Sequence, residues 1–415
     1  MTGADATEPG PRGGFAAFGH REFTIYWFAQ LCQLVPVQMM AVAVGWQVYE
    51  ISGNPLDLGL IGLAEFLPVP LLVLLAGHAA DRFQRRRVIQ LSDGARALMA
   101  LALLKITFDG ATEVWPFYLL ALAMGVTRAF GAPAGRAMLP DLVPVKDLAN
   151  AVAWRSSGFQ ASFVVGPALG GLLYALLPVS VYGVAALLLA ASVLLMFALK
   201  PRPVAAPAET PNWASLVAGI LLIRRKPLLL GAISLDLFAV LLGGVTALLP
   251  IFAKDILEVG VIGLGALRLA PALGAIVMAV TLAYFPLQRG VGRTLYLSVA
   301  IFGLATIVFA VSTSFLLSLA ALAILGAADL VSVFVRSTVV PLATPDHMRG
   351  RVTAVEMVFI GASNELGMFE SGFLAWLIGT VPAALVGGVG TLLVVLLWIK
   401  LFPDLYKVDR LDHRL

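Results

Sequence analysis

Charge is what this chain has least of. Asp, Glu, Lys and Arg make up 13% of its 415 residues, against about 25% in an ordinary soluble domain, so a large water-facing surface is excluded. Cysteine is almost absent too. Cys32 stands alone, which rules out an internal disulfide and leaves the redox compartment unreadable. The four histidines form no cluster with metal-ligand spacing, so no metal is expected. No Gly-x-x-x-x-Gly-Lys-Ser/Thr loop occurs and no soluble domain is long enough to hydrolyse nucleotide. With no nucleophile-and-base constellation either, the sequence gives no sign of an enzyme or of a cofactor.

What remains is apolar. Hydrophobic residues make up 60% of the chain and mean hydropathy is +0.95. Runs of roughly 20 such residues read as membrane-spanning helices. Twelve are expected, near 24–49, 57–80, 88–108, 115–137, 150–176, 181–199, 228–252, 262–284, 294–311, 314–337, 353–377 and 382–402. Of the 28 cations, 22 fall in the termini and the connections on one side and Lys105 and Lys254 on the other, while Arg96, Arg128, Arg155 and Arg268 lie inside runs. By the positive-inside rule this puts both termini in the cytoplasm of a multi-pass protein of the inner or plasma membrane. The formal charge of +4 therefore lies along the inner face, where anionic lipid headgroups, not nucleic acid, are the expected partner.

The two halves match at a shift of 201 residues: Pro140 with Pro341, Pro144 with Pro345, Gly166 with Gly367, Gly171 with Gly372. The break falls at Lys200-Pro201-Arg202-Pro203 and the prolines that follow, a stretch that cannot be helical. The expected organisation is a flexible tail over 1–20 and a six-helix bundle over 21–200. A linker over 201–227 follows, with an amphipathic helix from Trp213 to Arg225 capped by Asn212, then a second bundle over 228–402 and a tail over 403–415. Parallel six-helix repeats place a substrate between the halves near the bilayer midplane.

Gly77, Asp81, Arg82, Arg85 and Arg86 carry the most specific pattern, a Gly, three residues, Asp-Arg, then basic residues in the turn between the second and third runs. That pattern resembles the corresponding loop of the major facilitator superfamily. The resemblance implies an all-α integral membrane fold of twelve helices in two pseudo-symmetric bundles, and a gate in which Asp81 docks on helix eleven near Gly350 to Thr353. Gly158, Gly166, Pro167, Gly170 and Gly171 in the fifth run resemble the Gly-Pro motif of exporting, proton-antiporting members, with Ser162 where Gly is usual. Trp46 to Tyr49 with Ser52-Gly53-Asn54-Pro55, and Pro133-Ala134 with Leu139 to Val143 and Leu148 to Ala151, are similar to the branch that holds the enterobactin exporter and the macrolide-efflux proteins.

Ionisable groups inside apolar runs are costly and point to function. Arg128 and Asp329 are equivalent at the shift of 201, in helices four and ten that the resemblance places along the substrate cavity, and an ion pair between them across the two-fold axis, made in one conformation and parted in another, is expected. Arg128 as a simple anchor of helix four is the plain alternative. Glu65 and Glu370 are isolated acids, Glu65 ranked first as proton carrier. Glu356 and Asp236 are further candidates, though a solvated position near a helix end accounts for both. On helix eleven Glu356, Ser363, Gly367, Glu370 and Ser371 share a face and Glu365 points nearly opposite. Tyr26, Gln30, Gln33 and Gln38 share a face of helix one and offer neutral hydrogen bonding to the cavity.

Together these residues predict a monomeric, proton-driven exporter of small amphipathic molecules, drug or siderophore-like. A lipid flippase or facilitator of the same fold, and a non-transporting receptor or scaffold, fit the same residues.

Overall fold

The computed structural model describes residues 14–200 and 213–410, without the side chains of Leu74, Ala80, Asp81 and Trp213 to Leu216. Among the described residues it is all-helical. Ten helical stretches are long and apolar enough to cross a membrane. The chain starts with α1 (Arg21–Ser52), α2 (Pro55–Phe66), α3 (Pro68–Arg82), α4 (Arg85–Phe108), α5 (Trp115–Met138), α6 (Leu148–Leu176) and α7 (Pro178–Phe197). After α8 (Trp213–Arg225) come α9 (Pro227–Leu242), α10 (Leu249–Ile251), α11 (Gly260–Tyr284), α12 (Val291–Val311), α13 (Phe315–Ala343), α14 (Arg349–Ile378), α15 (Thr380–Leu401) and α16 (Pro403–Lys407).

α4 and α14 are long enough to span, at 24 and 30 residues, but carry more charge than the other ten. Both owe that charge to protein contacts described below. Local chemistry sets the turns. Gly53 closes α1 in the left-handed region at φ 60°, where a side chain would be strained. The Asn54 side chain then accepts a bond from the Leu56 amide at 3.1 Å, capping α2 in the next breath of chain.

Two expected helices are interrupted. The second is split at Leu67, because Pro68 and Pro70 cannot donate to the preceding turn. The seventh stops at Gly243-Gly244 and continues through short turns to Ile256. Gly244 there lies against the Gly367 carbonyl of α14, where no side chain would fit. α13 runs two turns beyond its expected end, to Ala343. Of the expected tail, residues 14–20 are described and pack on α6. Residues Ala16–Gly19 form a 3-10 turn, and Ala17 N–H donates to Asn150 of α6 at 2.9 Å while Trp154 Nε1 donates to the Gly14 carbonyl at 2.8 Å. Residues 1–13, and the linker over 201–212 with the Asn212 cap, lie outside the described residues.

α1 lies on α6 and α7, and α4 on α5 and α7; α11 lies on α13, and α12 on α13 and α15. One buried cluster joins Met39, Tyr182 and Leu189 with Leu248, Leu264 and Leu322 of the later helices, and another holds Leu229, Leu235 and Tyr296. Earlier and later helices meet at two seams, α2 on α14 and α6 on α11. Taking the end where α1 begins as the terminal end, both seams lie toward the far end. Gly59 approaches Phe369 and Gly372, and Gly171 approaches Val261 and Gly265. The Tyr49 hydroxyl donates to the Asp255 carboxylate at the same end.

Candidate functional site

Small residues bring the site together. Gly125 of α5 lies so close to the Glu65 carbonyl of α2 that no side chain could stand there. One turn on from Gly125, Arg128 reaches the Glu65 carboxylate at 3.3 Å. The same guanidinium nitrogen donates to Glu365 Oε1 of α14 at 2.6 Å. Two carboxylates, one on α2 and one on α14, thus share one guanidinium. The Glu365 side chain is 7% exposed against 42% for Arg128, and its second oxygen, Oε2, is buried without a hydrogen-bond partner. Toward the terminal end a further crossing links Arg136 to the Met357 sulfur at 2.8 Å.

Arg128 and Asp329 form no ion pair, contrary to the expectation from their equivalent positions: Arg128 is engaged by Glu65 and Glu365. Asp329 instead faces a small cavity between α9, α12 and α13 that it lines with Asp236 and Ser332. Glu365, which a single helix face turned away from the site, proves central. Glu370 is half-buried, with its one described bond from Ser371 at a long 3.4 Å.

A second buried cluster lies in the later helices. Arg336 of α13 pairs with Asp236 of α9, and its Nε lies 3.2 Å from Glu356 of α14. Asp236 and Glu356 are therefore not the solvated groups that their helix-end positions suggested. Removing one partner of a buried ion pair strands a charge and costs about 3–5 kcal/mol. Arg336→Met is expected to lower the thermal-unfolding midpoint in detergent steeply, and a second change, Asp236→Asn, to recover part of the loss. An Arg336→Met protein as stable as the original would show that the cluster holds nothing together.

Tyr26, Gln30 and Gln33 on the polar face of α1 line a small cavity with Asp93 and Ser192 among the earlier helices. Tyr26 donates to the Gly135 carbonyl at 2.8 Å, Gln30 to the Arg155 carbonyl at 3.4 Å and Gln33 to Asp93 at 2.7 Å. Asp93 also accepts from Ser192 at 2.7 Å and pairs with Arg96 at 3.4 Å. Gln38 packs against Gly166 of α6. The glycines of that motif serve close approach: Gly158 faces Trp27, Gly170 faces the Met39 backbone, and the Pro167 carbonyl faces Gly265 of α11. In the basic turn Arg85 binds the Ala137 carbonyl at 2.8 Å and Asp141 at 2.6 Å, and Arg86 binds the Leu199 carbonyl. Arg82 is exposed and Gly77 stands in open space. The Asp81 side chain lies outside the described residues.

Residues 12–414 match the family of transmembrane secretion effectors. The enterobactin exporter EntS of Shigella boydii serotype 18 is 27% identical over 396 residues, covering 94% of this chain and 93% of that protein. EntS of Escherichia coli O157:H7 matches to the same extent. Among solved structures, the nucleoside transporter NupG superposes with a TM-score of 0.74 at 15% identity over 92% of this chain and 98% of that one. A bacterial homologue of the iron transporter ferroportin, in an inward-facing state, gives 0.71 at 16% identity over 94% and 99%. At such identities the likeness is one of fold.

Proposed function

The chain belongs to the transmembrane secretion effector family of the major facilitator superfamily, and from that premise we propose that it exports small amphipathic molecules, siderophore or drug-like, in exchange for protons. It works as a monomer of twelve spanning helices in two six-helix bundles, with both termini cytoplasmic. Glu65, Arg128 and Glu365 couple the two bundles.

The observation that carries this reading is the shared guanidinium. Within ion-pair distance two carboxylates face one cation, so the ion pairs of the site leave one carboxylate charge over, and of the two carboxylates Glu365 is the one held away from water. A proton on the buried Glu365 Oε2 removes that charge, and its departure restores it. Arg128 bridges helices on both sides of the seam, so the state of this site bears on whether the bundles stay together. With the termini inside, the backbone-close seams at the far end correspond to a transporter shut toward the outside. Arg136 lies within electrostatic reach of Arg155; these two cations, near the terminal end, favour a substrate with acidic groups. The Gly-Pro stretch of α6, packed against α1 and α11, supports the export direction.

Purified protein in liposomes tests the reading. An imposed pH gradient should drive movement of an amphipathic substrate from the terminal side, and Glu365→Gln should abolish the response to the gradient while substrate still binds. An unchanged response in Glu365→Gln would move the proton to Glu65 or Glu370. No response in the original protein would favour a facilitator or flippase.

A further inference from the structure

We propose that the cavity between α9, α12 and α13 is a binding site for a small hard monovalent cation, sodium in size and charge. The cavity has a volume of about 10 Å³, the room of one water-sized body. Its lining comprises Asp236 and Ala239 of α9, Val299 and Phe302 of α12, and Asp329 and Ser332 of α13 among others. Asp329 and Ser332 are three residues apart on one helix and so present their oxygens from one face.

Three observations point to a cation. Ser332 is 3% exposed and its hydroxyl is buried with no hydrogen-bond partner. Serine in a helix ordinarily returns its hydroxyl to a carbonyl one turn back, as Ser298 and Ser363 do here. Secondly, Asp329 has no hydrogen bond or ion pair among the described residues, although it sits mid-way along a membrane-length helix. Thirdly, the charges do not balance. Among the described residues Arg336 is the one cation in ion-pair contact with this cluster, and it already serves both Asp236 and Glu356; Asp329 is a second carboxylate on the cavity that Asp236 lines. Carboxylate and hydroxyl oxygens are hard donors suited to hard cations. Two carboxylates and a hydroxyl that border one cavity without bonding to each other leave the gap that an ion fills.

The site goes beyond the proton-coupling reading and stands apart from it, since it lies among the later helices and does not involve Arg128. Its test reads binding and not transport, so either proposal can fail alone. The full chain, purified in detergent at constant ionic strength, is titrated with NaCl against choline chloride, KCl and CaCl2, and thermal unfolding and bound radioactive sodium are measured. Sodium should raise the unfolding midpoint saturably, in the manner of a ligand bound by the folded state, while choline and potassium do not. Ser332→Ala, which removes one oxygen and no volume of consequence, should weaken sodium binding by about tenfold or more, and Asp329→Asn should abolish it. Lys105→Gln, an exposed change at the far end, should bind as the original does. Equal responses to sodium and choline, a preference for calcium, or full sodium binding in Ser332→Ala with normal folding by circular dichroism would each overturn the assignment.

Discussion

Arg128→Gln abolishes gradient-driven export and lowers thermal stability, and the stability but not the export returns when Glu365→Gln is added. This is the expected outcome if the guanidinium is what allows two carboxylates to sit across the seam. Without it, Glu65 and Glu365 repel, and the buried Glu365 carboxylate has lost the one hydrogen bond described for it. A stranded buried charge costs about 3–5 kcal/mol. The Arg128 side chain is 42% exposed, so solvent screens part of that and a cost near the lower bound or below is expected. Neutralising Glu365 removes the repulsion and the unmet charge together. It also removes the group that exchanges a proton, and so leaves the transporter folded and idle. Unfolding midpoints and liposome export, measured on both single variants and the double, decide the matter. Additive losses of stability across the cycle would mean that the two residues act separately.

Gly372→Val should turn the protein toward the state open at the far end. A methyl group on Gly372 would stand 2.8 Å from the Gly59 Cα and 3.0 Å from the Pro55 carbonyl. Backbone cannot yield as a flexible side chain does. Overpacking of this kind costs about 1–3 kcal/mol, the same scale as the few kcal/mol that separate alternating conformers. Because the clash exists when α2 and α14 are together, the strain is relieved by parting them, not by unfolding either one. Spin labels at Glu113→Cys and Thr313→Cys in a Cys32→Ala background report the far-end separation, which should lengthen in the variant. An unchanged distance distribution would mean that this seam is not the moving one.

The sequence announced a polytopic helical protein well, because hydrocarbon imposes one rule on every span and the rule leaves its mark in long apolar runs and lopsided cations. The site was harder to read. Glu365 was set aside because helix eleven was treated as having one inward face. In the fold α14 packs on α2 along one side and on α8 and α9 along others, so it has several, and Glu356 and Glu365 serve different partners. Arg336 was counted among the flanking cations because its helix was expected to end at 337. With α13 reaching Ala343, the same residue lies nearly two turns inside. Tyr26 and Gln33 were rightly seen to share a face, but periodicity tells which residues go together and not which neighbour they meet.

At the shift of 201 Arg128 falls with Asp329 and Gly131 with Ser332, and each pair differs in kind. A homodimer of identical halves must place the same residue at both positions, so it cannot set a cation in one half against an acid in the other. A single polypeptide is free of that constraint: Arg128 on α5 grips Glu65 and Glu365, while Asp329 on α13 stands beside Ser332 with no ion pair among the described residues.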